Sequence, residues 1–272
     1  MKPSTLVLFG FSFYLFLFFY VAALIRQLCL KTEPRATLLN ISNRLVSAIQ
    51  ASITFCVGIL IVKKTNDDLI HDRHWITDHW PFIIAGYGIY DVWCMYYCYC
   101  AKYKLKKDSK ATRATVLKQF LRTRCLMLLH HFWLFIFAFP AAVIYRNGKG
   151  DFFIGCFFLT ELSTPFVMFR TVLSDAGLAK SRVYVVNGLT MIFTFFFCRI
   201  LMFPMMFYAY AEYKTLAHWW EVPWNIPRKC SVGCFCIFAL QLYWFGLMLK
   251  GAYKLLCQKQ PPDHEVTAEK QS

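Results

Sequence analysis

Apolar residues along this chain run in unbroken blocks instead of alternating with polar ones. The blocks are Ser4–Ile25, Leu45–Val62, Pro81–Ala101, Cys125–Tyr145, Phe152–Leu173, Val185–Tyr210 and Ser231–Lys250. Each has the length of about 18 residues or more that a helix needs to cross the hydrocarbon of a bilayer. The pattern predicts an all-α polytopic membrane bundle of about seven transmembrane helices. Glu161, Ser163, Thr164 and Pro165 interrupt the fifth block; a kinked helix tolerates such residues when its neighbours satisfy the freed backbone groups. The first block starts almost at once, with no small-residue cleavage site after it, and reads as a helix and not a signal peptide. Short linkers and the lack of an internal repeat point to one domain.

Composition strengthens this reading. The 272 residues are 58% hydrophobic, with a mean hydropathy of +0.44, beyond what a soluble domain tolerates. The net charge of +15 first suggests nucleic acid. However, the basic residues flank the apolar blocks and no nucleic-acid-binding fold is visible, so anchoring at a membrane explains them better. Lysine and arginine collect in the first linker, in the Lys102–Arg124 loop, around Lys180 and Arg182, and in the tail. By the positive-inside rule those segments face the cytosol, which puts the amino terminus in the lumen and the carboxy tail in the cytosol. The Lys102–Arg124 loop could also meet anionic head groups or the phosphates of a cytosolic substrate. Trp75, Trp80, Trp219, Trp220 and Trp224 fall at the opposite boundary, where indoles anchor helices at head-group depth. The twelve cysteines show no Cys-x-x-Cys metal-ligand pairs and most act as small apolar residues, so no metal site is expected. Cys98, Cys100 and Cys257 lie near cytosolic helix ends, the place where palmitoylation occurs.

Ionisable groups inside spans are costly and mark function or a buried pair. Asp91, His130, His131, Glu161 and Arg199 qualify. At about 1.5 Å per residue, Asp91 and Glu161 lie roughly 14 Å below the outer ends of their spans. His130 and His131 lie roughly 8 to 9 Å from the cytosolic end, and Arg199 roughly 21 Å. One shared polar site is geometrically allowed. Adjacent helical residues point about 100° apart, so one histidine can face a cavity while the other bonds a flanking helix. Arg199 with Glu161 or Asp91 could equally form a structural ion pair. Asn187, Gln50 and Gln241 read as interhelical hydrogen-bonding residues, and Pro140, Pro165 and Pro204 as kinks.

The His-His pair opening a span, followed by GKGDFFIGCFFLTELSTPF (Gly148 to Phe166), resembles the TLC-domain family, which includes the ceramide synthases. RLVSAIQA, IYDVWCMY, VNGLTMIFTFFFCRILMFP and QLYWF are similar to its smaller ceramide-synthase-like branch. The resemblance implies a first helix and cytosolic linker over 1–39, a TLC domain over 40–255 and a short cytosolic tail over 256–272. Ceramide synthases carry His-His and later His-Asp with a further Asp. Carried onto this chain, the first pair falls on His130 and His131, the second on or near Thr160 and Glu161, and the further acid on Thr164. The later histidine and one acid are therefore absent, as is the longer amino-terminal module of many animal members.

The chemistry implied is amide formation, in which a long-chain base attacks the thioester of fatty acyl-CoA, the co-substrate, with no resident cofactor. His130 or His131 would act as base or nucleophile, oriented by Glu161 or Asp91, while Asp91 and Arg199 bind substrate. The resemblance further implies an endoplasmic reticulum membrane, with Golgi next, and contacts with membrane lipids and with further copies or other lipid enzymes. A second class stays open: a non-catalytic regulator or sensor of membrane lipid composition that keeps the polar pocket for a head group. A transporter is disfavoured by the absence of an inverted repeat.

Overall fold

The structure is a computed structural model that describes residues 2–28, 34–106 and 112–257. The tail from 258 onward and the centre of the Lys102–Arg124 segment lie outside the described residues. Within them the fold is all-α. We label its helical rods α1 (Pro3–Leu28), α2 (Arg35–Lys64), α3 (Trp80–Lys106), α4 (Arg113–Thr123), α5 (Cys125–Tyr145), α6 (Asp151–Asp175), α7 (Arg182–Tyr213) and α8 (Arg228–Cys257). All but α4 coincide with the predicted blocks, extended at their ends. The largest extension is in α2, which begins at Arg35 instead of Leu45 because Ala36, Leu38, Leu39 and Ile41 are buried against its neighbours.

Six rods are long and apolar enough to cross a membrane: α1, α2, α5, α6, α7 and α8. The third predicted span, α3, is outside that set although its 27 residues measure about 40 Å. Its tyrosines, tryptophans and Asp91 lower its hydropathy. Those same residues suit its place in the bundle, where it packs along α1 and against α2. Tyr90 and Cys94 of α3 are completely buried with Tyr14 and Phe18 of α1 and Val46 of α2. Glycines allow the approach: a Cβ on Gly10 would lie 2.5 Å from the Ile83 carbonyl oxygen, so α1 and α3 meet backbone to backbone. Gly58 does the same for α2 and α6, its Cβ position lying 2.9 Å from the Gly155 carbonyl oxygen, and Gly155 makes room for the Ile61 and Val62 side chains. A second core joins Cys156, Phe203 and Met206 with Phe238 of α8.

Three irregular stretches follow from the prolines. Pro140 has no N–H to donate, and π-helical turns flank it at Leu134–Ala138 and Ala141–Tyr145. Pro204 would clash with the carbonyl of Ile200 in a regular helix, and a π-helical turn at Phe196–Leu201 relieves this. Pro165 follows a 3-10 turn over Thr160–Ser163, in which the Thr164 N–H bonds to Glu161 instead of Thr160. The Thr160 carbonyl thereby loses its i+4 donor and takes side-chain donors instead.

Two expectations need correction. The Lys102–Arg124 segment is not simply a loop, since Arg113–Thr123 forms the amphipathic helix α4, capped by Thr112 and anchored by Phe120 between Tyr96 and Tyr99. Nor is Cys98 placed for lipidation: its side chain is buried in the first core, with its sulfur 3.5 Å from the Leu39 carbonyl. Cys100 is half-buried.

Opposite the α4 side, the α2–α3 and α5–α6 connections are locked together. The Asp151 carboxylate is completely buried and accepts from the His74 N–H at 2.7 Å and the Thr77 hydroxyl at 2.5 Å. Arg146 pairs with Asp151 and, at 3.0 Å, with Asp78, which Arg73 also holds at 2.7 Å. Gly150, with φ of +72°, makes the turn that brings its N–H to the Ile70 carbonyl at 2.8 Å. Nearby, the backbone N–H groups of His71 and Ile70 bond Asp68 and help hold its carboxyl down to about 2.

Candidate functional site

The site begins with a stripe on α2. Asn43, Ser47, Gln50 and Thr54 recur every three or four residues, so they share one helix face, and all four are buried. Ser47 and Gln50 bond within α2 itself, while Thr54 accepts from Trp80 Nε1 at 3.2 Å. Asn43 reaches across to α3. Its Oδ1 accepts from the Tyr90 hydroxyl at 3.1 Å and its Nδ2 faces Asp91 at 3.5 Å.

Asp91 in turn meets α5. His131 Nε2 lies 3.0 Å from Asp91 Oδ2, with side-chain exposures of only 10% and 12%. Little water competes for the pair, and a carboxylate at this distance favours a proton on the nitrogen that faces it, Nε2. His130 points elsewhere, as adjacent helical positions must. It packs edge-on against Trp244 of α8, ring centroids 5.2 Å apart. Among the described residues, only His131 of the pair has a carboxylate partner.

A second cluster forms where the kink of α6 faces the π turn of α7. Arg199 Nε donates to the freed Thr160 carbonyl at 3.1 Å and to Ser163 Oγ at 2.8 Å. Its Nη2 donates to Thr164 Oγ1 at 2.8 Å and lies 3.6 Å from Glu161 Oε2. Thr164 completes the ring by donating to Glu161 at 2.7 Å. Of the two acids open to Arg199, Glu161 is the one it meets. Of the two open to the histidines, Asp91 is the one that meets His131. Both clusters lie against α2, which packs on α3 and on the Thr160–Ser163 turn.

Among the interhelical residues, Asn187 bonds the Phe166 carbonyl at 2.9 Å across α7 and α6. Gln50 bonds within its own helix, and Gln241 Oε1 is buried with no partner among the described residues. Sequence reasoning missed Asn43, Tyr90 and Trp244. The buried stripe on α2 was the readable signal for Asn43, since polar residues at helical spacing inside an apolar span imply a polar partner. Nothing local marks Trp244. An open apolar groove between α7 and α8, about 530 Å³ and lined by Leu189, Ile192, Phe193, Phe196 and Phe245, adjoins the Trp244 side.

A family model of the TLC domain matches residues 40–250. The chain belongs to the TLC-domain family. Membership gives it a lipid-related function in a membrane that it crosses several times. No solved structure matches the chain.

Proposed function

We propose that this TLC-domain protein is an enzyme of ceramide synthesis that joins a long-chain base to the acyl group of fatty acyl-CoA. The observation that carries the reading is the buried His131–Asp91 contact at 3.0 Å, an imidazole set against a carboxylate inside the bundle. His131 Nδ1 takes a proton from the amine as its nitrogen attacks the thioester carbonyl. The tetrahedral intermediate collapses, the C–S bond breaks, and the imidazolium returns its proton to the leaving thiolate. Asp91 stabilises the imidazolium while it lasts. Arg199 and Glu161 hold α6 against α7 and keep the Thr160–Thr164 turn in place; the resemblance alone had given them substrate and catalytic roles. The apolar α7–α8 groove suits an acyl chain entering from the bilayer.

The direct test is purified protein in liposomes with acyl-CoA and a long-chain base, read by mass spectrometry of the N-acylated product. Product accumulating with enzyme concentration is expected. One observation favours a second reading: the residues at the position of the family's later His-Asp motif, Glu161 and Thr164, are engaged with Arg199. A lipid sensor without chemistry would bind the base and make no product with any chain length.

For orientation, we take the Lys102–Arg124 side as cytosolic, in the endoplasmic reticulum or Golgi, with the Trp219–Lys229 segment lumenal. Glycosylation acceptor sites inserted in each segment report this. Modification near Trp219 alone is expected, and modification only in the basic segment would reverse the orientation.

A further inference from the structure

Helix α4 has three faces, and the structure covers one of them. Phe120 is buried between Tyr96 and Tyr99 of α3, which fixes how the helix is turned about its axis. At about 100° per residue, Leu117 and Leu121 lie about 60° and 100° round from Phe120, and Lys118 and Arg122 about 160° and 200°. The two leucines are left 45% and 49% exposed. Lys118 and Arg122 are neighbours, being one turn apart on the same face, and both are exposed. No acid occurs in α4, and among the described residues neither cation has a carboxylate within ion-pair distance.

Depth decides what the uncovered faces meet. Tyr96 and Tyr99 lie about 24 and 28 Å along α3 from its first residue, Trp80, close to the roughly 30 Å thickness of bilayer hydrocarbon. With Trp80 at one head-group layer, Phe120 therefore holds α4 at the level of the other. Continuity points the same way. Only Arg124 separates α4 from the apolar span α5, whose first turns expose Leu126 and Leu129, so the leucine strip of α4 runs on into the exposed side of a membrane helix. In water those leucines would stay hydrated at a cost. A short helix with an apolar strip beside a basic face is the form that lies in a bilayer surface and attracts anionic lipid.

We infer that α4 lies in the head-group layer of the membrane, with Leu117 and Leu121 among the acyl chains and Lys118 and Arg122 binding the phosphates of anionic lipids. This lipid site does not rest on the acyltransferase reading.

Two measurements on the full-length protein in nanodiscs test it. The first places the photo-crosslinker p-benzoylphenylalanine in place of Leu121 and identifies its adducts by mass spectrometry. Phospholipid adducts are expected. Adducts to another protein chain, a second copy included, or no adduct to phospholipid, overturn the interfacial placement. The second follows amide hydrogen exchange of α4 in dioleoylphosphatidylcholine alone and with dioleoylphosphatidylserine added. The anionic lipid is expected to slow exchange by about fivefold or more, and high salt to remove the slowing. The double variant Lys118→Gln, Arg122→Gln should lose the slowing while position 121 still crosslinks to lipid. A charge-matched control, Lys63→Gln with Lys64→Gln at the far end of α2, should keep it. Equal exchange in the two membranes, slowing that survives in the Lys118–Arg122 variant, or an equal loss in the control overturns the head-group site. All four cations are exposed, so these variants are expected to fold as wild type.

Discussion

His131→Ala is expected to lower N-acylation per folded molecule by about a hundredfold or more, the range lost with a general base. Asp91→Asn should cost about ten- to a hundredfold, as a group that orients another typically does. It leaves the imidazole in place but removes the charge that faces Nε2 and would stabilise the imidazolium. His130→Ala should have a smaller effect, because its ring packs on Trp244 and has no carboxylate partner among the described residues. The measurement is product per monodisperse protein, since a purely structural histidine would reduce yield and leave specific activity alone. Unchanged specific activity in His131→Ala would remove the catalytic assignment. So would equal effects in the two histidine variants, because the geometry separates them.

The second large effect concerns stability. Asp151→Asn leaves Arg146, 10% exposed, without its buried counter-charge. Breaking one side of a buried pair costs about 3–5 kcal/mol. For a chain of this size, with about 2–4 °C per kcal/mol, the unfolding temperature in detergent should fall by roughly 6–20 °C. Arg73→Gln should cost less than Asp151→Asn, because Arg73 is 46% exposed, its 2.7 Å partner Asp78 is equally exposed, and its approach to Asp151 is longer, at 3.6 Å. The double variant Asp151→Asn, Arg146→Gln should recover part of the loss, since neither charge is then stranded. A shift within about 2 °C for Asp151→Asn would mean that the two connections are held by their backbone bonds alone. Activity per folded molecule should not change, because the clamp lies outside the His131 site.

Length and hydrophobicity, which are properties of a segment by itself, determined much of this protein from the sequence. The apolar blocks gave seven rods in order, and Pro165 with its polar neighbours gave the break in α6. The intramembrane positions of Asp91, His130, His131, Glu161 and Arg199 were legible for the same reason: a charge inside an apolar run stands out without knowledge of its surroundings. Pairing was not legible. Whether Asp91 or Glu161 meets a histidine depends on how α3 and α6 are rotated about their axes, and a rotation of 100° would exchange one neighbour for the next. Tertiary packing decided it, with Asn43, itself bonded by Tyr90, facing Asp91, and the Thr160 carbonyl in the kink accepting from Arg199 beside Glu161. The Asp151 clamp was equally hidden, because Arg73, Asp78 and Arg146 look like ordinary loop charges until two connections far apart in sequence are folded onto one buried carboxylate.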